Sequence, residues 1–284
     1  MFTLKIESSL GLVELTHDLN NYAVVGVQGL TPPPTTINTA IAGSIDGSFF
    51  NSARVESRNI VITVILAGDI EANRQRLYRI FPRKMPVTVY FKNKNRDVKI
   101  SGYVEALEGD LFTQQEQMQI SILCPRPYFE ALDSVTNTIG NVLPLFEFPF
   151  SIAEDNPVEI GEVSTSPIYT YDNQGDVETG AVFTFTFDGS VTGITLTNYT
   201  TTAYIGFNYG FTAGDVLTVS TIQGELYAKL KHNGSDINLL NYLISGSTWI
   251  KLAVGGNELI YTVTTGDEND VICTFNAPTL YGGV

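Results

Sequence analysis

Residues 58–81 read RNIVITVILAGDIEANRQRLYRIF, and the hydrophobic period changes halfway along them. In the first part Ile60, Ile62, Val64 and Leu66 share one face and Val61, Thr63 and Ile65 the other, as in a strand over 58–67 buried on both sides. Past Gly68 the period becomes helical. Asp69 is placed to cap a helix over 70–81, with Ile70, Asn73, Leu77 and Ile80 or Phe81 on one face, Arg74, Arg76 and Arg79 on the others, and Pro82 ending it. Downstream, 85–91 and 96–107 read as a hairpin around the turn at 92–95, and 115–124 as one more strand. Upstream, three consecutive prolines in TPPPTT (31–36) lack the N–H groups of a sheet ladder, so that stretch is an extended loop or arm, followed by a glycine-rich turn in GSIDG (43–47). The first half is therefore strands around a single helix.

Pro125 and Pro127 break the pattern, and in 142–150 (VLPLFEFPF) aromatics alternate across prolines, which suits a domain connection or an edge strand. Beyond it the composition shifts to Thr, Gly and Asn, and short strands recur at 181–187, 191–198, 204–207, 216–220, 226–231, 249–254 and 258–264. Without helices to make parallel crossovers, such a series predicts a β-sandwich. Charge divides at the same place. Residues 1–133 hold 13 Lys or Arg against 14 Asp or Glu, whereas 134–284 hold 3 against 16. The expectation is a mainly β chain of two domains, 1–133 and 134–284.

Several functions are disfavoured on these residues. A net charge of −14 repels phosphate backbones, which argues against nucleic-acid binding as the main task. The opening residues lack the apolar core of a signal peptide, and the apolar run 60–68 is too short to cross a bilayer, so a soluble protein made in the cytoplasm is expected. Cys124 and Cys273 lie far apart in strand-like stretches and read as buried thiols. With only His17 and His232 there is no zinc spacing, and no nucleophile elbow, phosphate loop or dinucleotide fingerprint occurs.

Paired carboxylates could serve a glycosidase, and Glu154, Asp155, Glu159 and Glu162, or Asp267, Glu268 and Asp270, offer candidates. Their turn-like contexts point instead to solvated loops, where nothing raises the pKa of a general acid. DNQGD (172–176) misses calcium-loop spacing and reads as a glycine turn. Trp249, the lone tryptophan, and the aromatics of 204–209 are the candidates for a sugar-stacking face, with burial of the indole the stronger alternative. No catalytic, cofactor-binding or metal-ligating residue is assigned, and no cofactor is expected.

The order of features resembles the siphovirus distal tail proteins, subunits at the end of long non-contractile phage tails. In the first half the resemblance rests on Ile45-Asp46-Gly47 before Phe49-Phe50, Arg58-Asn59-Ile60, and Gly68-Asp69-Ile70-Glu71-Ala72 leading to Arg76-Leu77. Tyr90, Gly102-Tyr103-Val104-Glu105, the glutamine-rich 115–119 and Cys124-Pro125-Arg126-Pro127-Tyr128-Phe129 continue it. In the second half Asn173-Gln174-Gly175-Asp176, Thr179-Gly180, Gly214-Asp215, Leu252 and Gly256-Asn257 look like the same family.

The resemblance implies an N-terminal split β-barrel with one helix, a C-terminal galectin-like β-sandwich, and no enzymatic activity. It also implies a homo-hexameric ring with a central DNA channel, joined to the major tail tube protein and to tail-tip or tail-associated proteins, with receptor-binding proteins as further neighbours. Neither specific nucleic-acid binding nor membrane binding follows from it. The alternative is a carbohydrate-binding virion or secreted protein. In a ring, the proline-bearing loop 29–45 is the candidate for reaching a neighbour or the tube.

Overall fold

The computed structural model describes residues 2–15, 21–41, 43, 46–81, 83–110, 113, 115–133, 136–139, 142–144, 161–163 and 168–284. His17, Ile45, Pro82, residues 145–150, and Glu154, Asp155 and Glu159 lie outside them. The chain divides into two compact units, Met1–Leu132 with Leu280–Val284, and Asp133–Thr279. Residues 280–284 hydrogen-bond into the first unit.

In chain order the first unit contains β1 (Thr3–Ser8), β2 (Gly11–Leu15), β3 (Tyr22–Gln28), β4 (Thr35–Ala40), β5 (Phe49–Val55), β6 (Arg58–Leu66), α1 (Ile70–Ile80), β7 (Pro86–Lys92), β8 (Asp97–Gly109), β9 (Gln117–Cys124) and β10 (Phe129–Ala131). The second holds β11 (Thr136–Ile139), β12 (Val142–Pro144), β13 (Gly161–Val163), β14 (Tyr169–Asn173), β15 (Val182–Phe187), β16 (Val191–Asn198), β17 (Ala203–Phe211), β18 (Val216–Ser220), β19 (Tyr227–His232), β20 (Ser235–Asn238), β21 (Gly255–Thr265) and β22 (Val271–Asn276). A last strand, β23 (Leu280–Tyr281), returns to the first unit.

The first unit is a curled antiparallel sheet in the order β2-β1-β7-β8-β9-β6-β3, with β10 pairing β8 and β23. Alternation closes its core. Leu4, Ile6, Val13, Leu15, Ile60, Ile62, Val64, Val87, Val89, Ile120 and Ile122 all point inward and are buried. The other face of β6 carries exposed Asn59 and partly buried Val61, Thr63 and Ile65, so burial on the second side is only partial. An antiparallel sheet with one helix has material to cover only one face.

Helix α1 forms where the period predicts. The Asp69 carboxylate accepts the Ala72 N–H at 3.1 Å, and Asn73, Leu77 and Ile80 are buried. The buried Asn73 amide donates to the Ala67 carbonyl at 2.7 Å, and its backbone carbonyl accepts the Tyr22 hydroxyl at 3.1 Å, tying the helix start to β3.

The second unit is a sandwich of a six-stranded sheet, β11-β22-β15-β18-β19-β20, and a four-stranded sheet, β14-β21-β16-β17. Phe183, Phe185, Phe187, Phe207, Phe211 and Phe275 fill the space between the sheets, with Phe187 and Phe211 stacked at 4.2 Å between ring centres.

The strand expected at 249–254 is absent. Its only ladder contact is an isolated bridge between Leu252 and Thr179. Three buried asparagines take over the backbone groups a partner strand would have satisfied. Asn198 donates to Lys251 O at 3.1 Å, Asn173 donates to Leu252 O at 3.2 Å, and Asn257 exchanges both bonds with Ala253 at 2.8 Å. Asn198 also donates to the Asn257 side chain at 3.0 Å. Asn257→Ala should therefore lower sandwich stability by about 3 kcal/mol, because it leaves buried donors and acceptors unpaired. A urea melt monitored by near-ultraviolet circular dichroism measures this, and a loss under about 1 kcal/mol would show that water replaces the amide.

Candidate assembly surface

Arg58 opens β6, and its side chain is only 1% exposed. A buried guanidinium must spend its N–H groups on acceptors, and four backbone carbonyls surround this one. Nε donates to Pro127 O at 2.6 Å, Nη1 to Thr31 O at 2.7 Å and to Gly29 O, and Nη2 to Gly282 O at 2.5 Å. The plane of the group lies over the Phe129 ring, 4.4 Å from its centre. Burial pushes the Arg58 pKa down from its ordinary value, and the four carbonyl dipoles favour the charged form. Three otherwise separate segments, the CPRPYF bend, the loop at 29–31 and the stretch 280–284, thus converge on one cation.

Gly29 makes the convergence possible. Its φ is +83°, and a Cβ there would sit 2.1 Å from the Asn59 carbonyl oxygen. From this root the chain runs through Pro32, Pro33 and Pro34 into β4, which pairs with β5 in a hairpin belonging to no other sheet. The expected loop at 29–45 is thus half of a two-stranded arm: the β-branched run TTINTA pairs with 49–55, and GSIDG lies between the two strands.

The register, shifted by a bulge between Asn38 and Thr39, gives the arm one face that is polar except for exposed Phe49 opposite Ala40 at its far end, and one that is apolar. Thr36 opposite Arg54 and Asn38 opposite Ser52 make a polar face. There Asn38 donates to Ser52 at 3.0 Å, and Arg54 donates to Glu56 at 2.9 Å. Hydrogen bonds from Thr36 and Arg54 hold the Glu56 carboxyl below its usual range. Ile37 opposite Ala53 and Phe50 opposite Thr39 make the apolar face. Ile37 is 61% and Phe50 67% exposed. A two-stranded ribbon with an exposed apolar face is marginal in water on its own.

The other sequence candidates are scattered. Trp249 is half-buried against the sandwich core, Tyr209 packs edge-on to Tyr242 at 4.9 Å, and the Tyr204 hydroxyl donates to Ser245 O at 2.9 Å. Asp267 and Glu268 are exposed in a turn where the Asp267 carboxylate accepts the Asn269 N–H at 2.9 Å. In DNQGD the Asn173 carboxamide oxygen accepts the Gly175 N–H at 3.0 Å, an ordinary Asx turn. His232 contacts the buried Asp215 carboxylate at 2.7 Å. Among the described residues no group of three His, Cys, Asp or Glu side chains could hold a metal ion. Cys124 and Cys273 are free and buried, as their strand contexts predict, and burial pushes the Cys124 thiol up to about 11.

Sequence reading did not single out the role of Arg58. An arginine heading a hydrophobic strand was visible, but its four acceptors come from residues 29 to 282 and meet only in the fold.

A mainly β chain of a split-barrel unit and a sandwich, whose barrel carries an uncovered amphipathic ribbon, is built as a part of a larger particle. Comparison with known proteins says which kind. Residues 12–124 match the family described as phage tail protein RIFT-related domain, and residues 174–277 match siphovirus-type tail component, C-terminal domain. The chain belongs to the siphovirus distal tail protein family and is a structural component of a phage tail.

Among solved structures it is similar to the SPP1 Dit (gp 19.1) protein, described as a paradigm of hub adsorption apparatus in Gram-positive infecting phages. The TM-score is 0.68 at 16% identity over 98% of this chain and 99% of that one. It is also similar to a chain of the phage p2 baseplate in its activated conformation with Sr, with a TM-score of 0.51 at 12% identity, covering 98% of each chain. No curated protein matches the chain.

Proposed function

We propose that this chain is the repeating subunit of a homo-hexameric ring at the distal end of the tail. The ring joins the major tail tube protein to the tail-tip or baseplate proteins, receptor-binding proteins among them, around a channel through which DNA leaves. The observation that supports this reading most directly is the β4–β5 arm, on which the apolar side chains Ile37 and Phe50 are largely exposed. In a closed ring the same patch meets the same complementary surface on every neighbour, so one ribbon design serves all contacts.

The charge division fits. A first half with 13 basic and 14 acidic residues can pack against copies of itself without net repulsion, while the acidic second half stays hydrated. On this reading the protein acts by assembly, with no catalytic residue and no cofactor, and it binds neither membrane nor specific nucleic acid. It is made in the host cytoplasm and ends in the virion tail tip.

Light scattering on the purified protein, with negative-stain images of the peak, tests the reading. The expected particle has about six times the 31.1 kDa subunit mass and a central hole. A protein that stays monomeric at high concentration, and also fails to form rings on purified tail tubes, overturns it.

A further inference from the structure

The root of the arm is sealed by residues that follow the whole sandwich in the chain. Leu280 and Tyr281 pair with Glu130 and Phe129. Beyond them the Arg58 guanidinium takes the Gly282 carbonyl at 2.5 Å, and the Val284 N–H donates to Leu30 O at 3.1 Å. Arg96 donates to Gly283 O and stacks on the Tyr281 ring at 4.1 Å. A Cβ on Gly283 would stand 3.1 Å from both Leu30 O and Pro32 Cδ, so this segment lies directly against the start of the proline run. Both acceptors of the Arg58 Nη1, Gly29 O and Thr31 O, belong to the same root.

We propose that residues 280–284, acting through Arg58, set the direction of the β4–β5 arm, so that an arm able to engage a neighbour exists only after the sandwich has folded. The order of events follows from the topology. Residues 280–284 emerge after Asp133–Thr279, and with that unit unfolded, docking them would mean closing a very long loop. Once it is folded, the β11–β22 ladder holds Thr136 beside Asn276, and the two ends of the unit leave as neighbours. Docking of 280–284 then becomes local. Before that, Arg58 lacks one acceptor, Leu30 lacks its donor, and the proline run has nothing behind it. Incomplete chains are thereby kept from inserting half-made subunits into a ring.

The inference rests on the arm being the ring contact, but its test is read on the monomer. Spin labels at Thr39→Cys on the arm and Gln119→Cys on β9 report the arm's direction by electron–electron resonance, the native cysteines being buried. The distance distribution should be narrow in the full chain. It should at least double in width on deletion of 280–284, and broaden also in Tyr281→Ala, which removes the stacking partner of Arg96 and leaves Arg58 in place. If the deletion unfolds the first unit, the Tyr281→Ala protein decides.

Equal widths in all folded variants, whether narrow or broad, overturn the proposal. Should the widths respond while the unsubstituted protein never forms rings, it is the ring reading that fails. The loosened variants should also lose ring formation at least tenfold in threshold concentration, and unchanged assembly with a loosened arm would overturn the link to assembly.

Discussion

Arg58→Met lowers the stability of the first unit by about 4 kcal/mol, and the mutant midpoint falls by about 10 °C or more. The side chain is close in length and fits the slot over Phe129, so cavity formation contributes little. What is lost is the donor set. The carbonyls of Pro127, Thr31, Gly29 and Gly282 all turn toward the guanidinium, and each orphaned buried acceptor costs about 1–3 kcal/mol, with incomplete additivity because water reaches some of them. Arg58→Lys keeps the charge, yet a lysine ammonium has three donors radiating from one point and lacks the planar fork, so most of the loss should remain. Thermal unfolding followed calorimetrically distinguishes the outcomes. The sandwich transition should stay where it is while the first-unit transition moves, and a first-unit shift under about 3 °C in Arg58→Met would mean the carbonyls find other donors.

Paired Ile37→Asp and Phe50→Asp substitutions act on the opposite quantity. Both side chains are largely exposed within their own unit, so monomer stability should change by no more than about 0.5 kcal/mol. In a closed ring the same two positions would place uncompensated carboxylates in every subunit contact, costing about 2 kcal/mol or more per contact. Closure multiplies that cost around the ring. The substituted protein should elute as a folded monomer at concentrations where the parent forms rings. Intact rings would move the contact elsewhere on the first unit. These substitutions are cleaner than deleting residues 31–36, because the deletion also removes the Thr31 carbonyl that Arg58 uses.

Where local physics dominates, the fold was readable in advance. The passage from a two-residue period to a helical one across Gly68 and Asp69, the capping aspartate and the hairpin turn at 92–95 each depend on neighbours within a few residues, and each stands in the structure. The stretch 249–254 was misread because alternation in STWIKLAVGGN is satisfied by two means that sequence does not separate. Ile250 and Leu252 are buried as a strand would bury them, but the backbone is held by side-chain amides from positions 173, 198 and 257. The arm was half visible. Prolines 32–34 and the glycine-rich GSIDG marked a special segment, whereas the pairing of 35–40 with 49–55 across it is set by no local motif. The anchor at Arg58 was invisible for the plainest reason, that its acceptors are as many as 224 residues away.

The short β10–β23 ladder also bears on how such a protein changes over generations. Because Phe129 faces Tyr281 and Glu130 faces Leu280, the chain leaves the first unit and comes back to it on strands about 5 Å apart. Everything between is topologically a graft on a hairpin. A replacement module needs only two neighbouring ends to be accepted there, and the barrel, the arm and the arginine clasp need no rethreading. Recombination can therefore trade the second unit while leaving the fold of the first untouched.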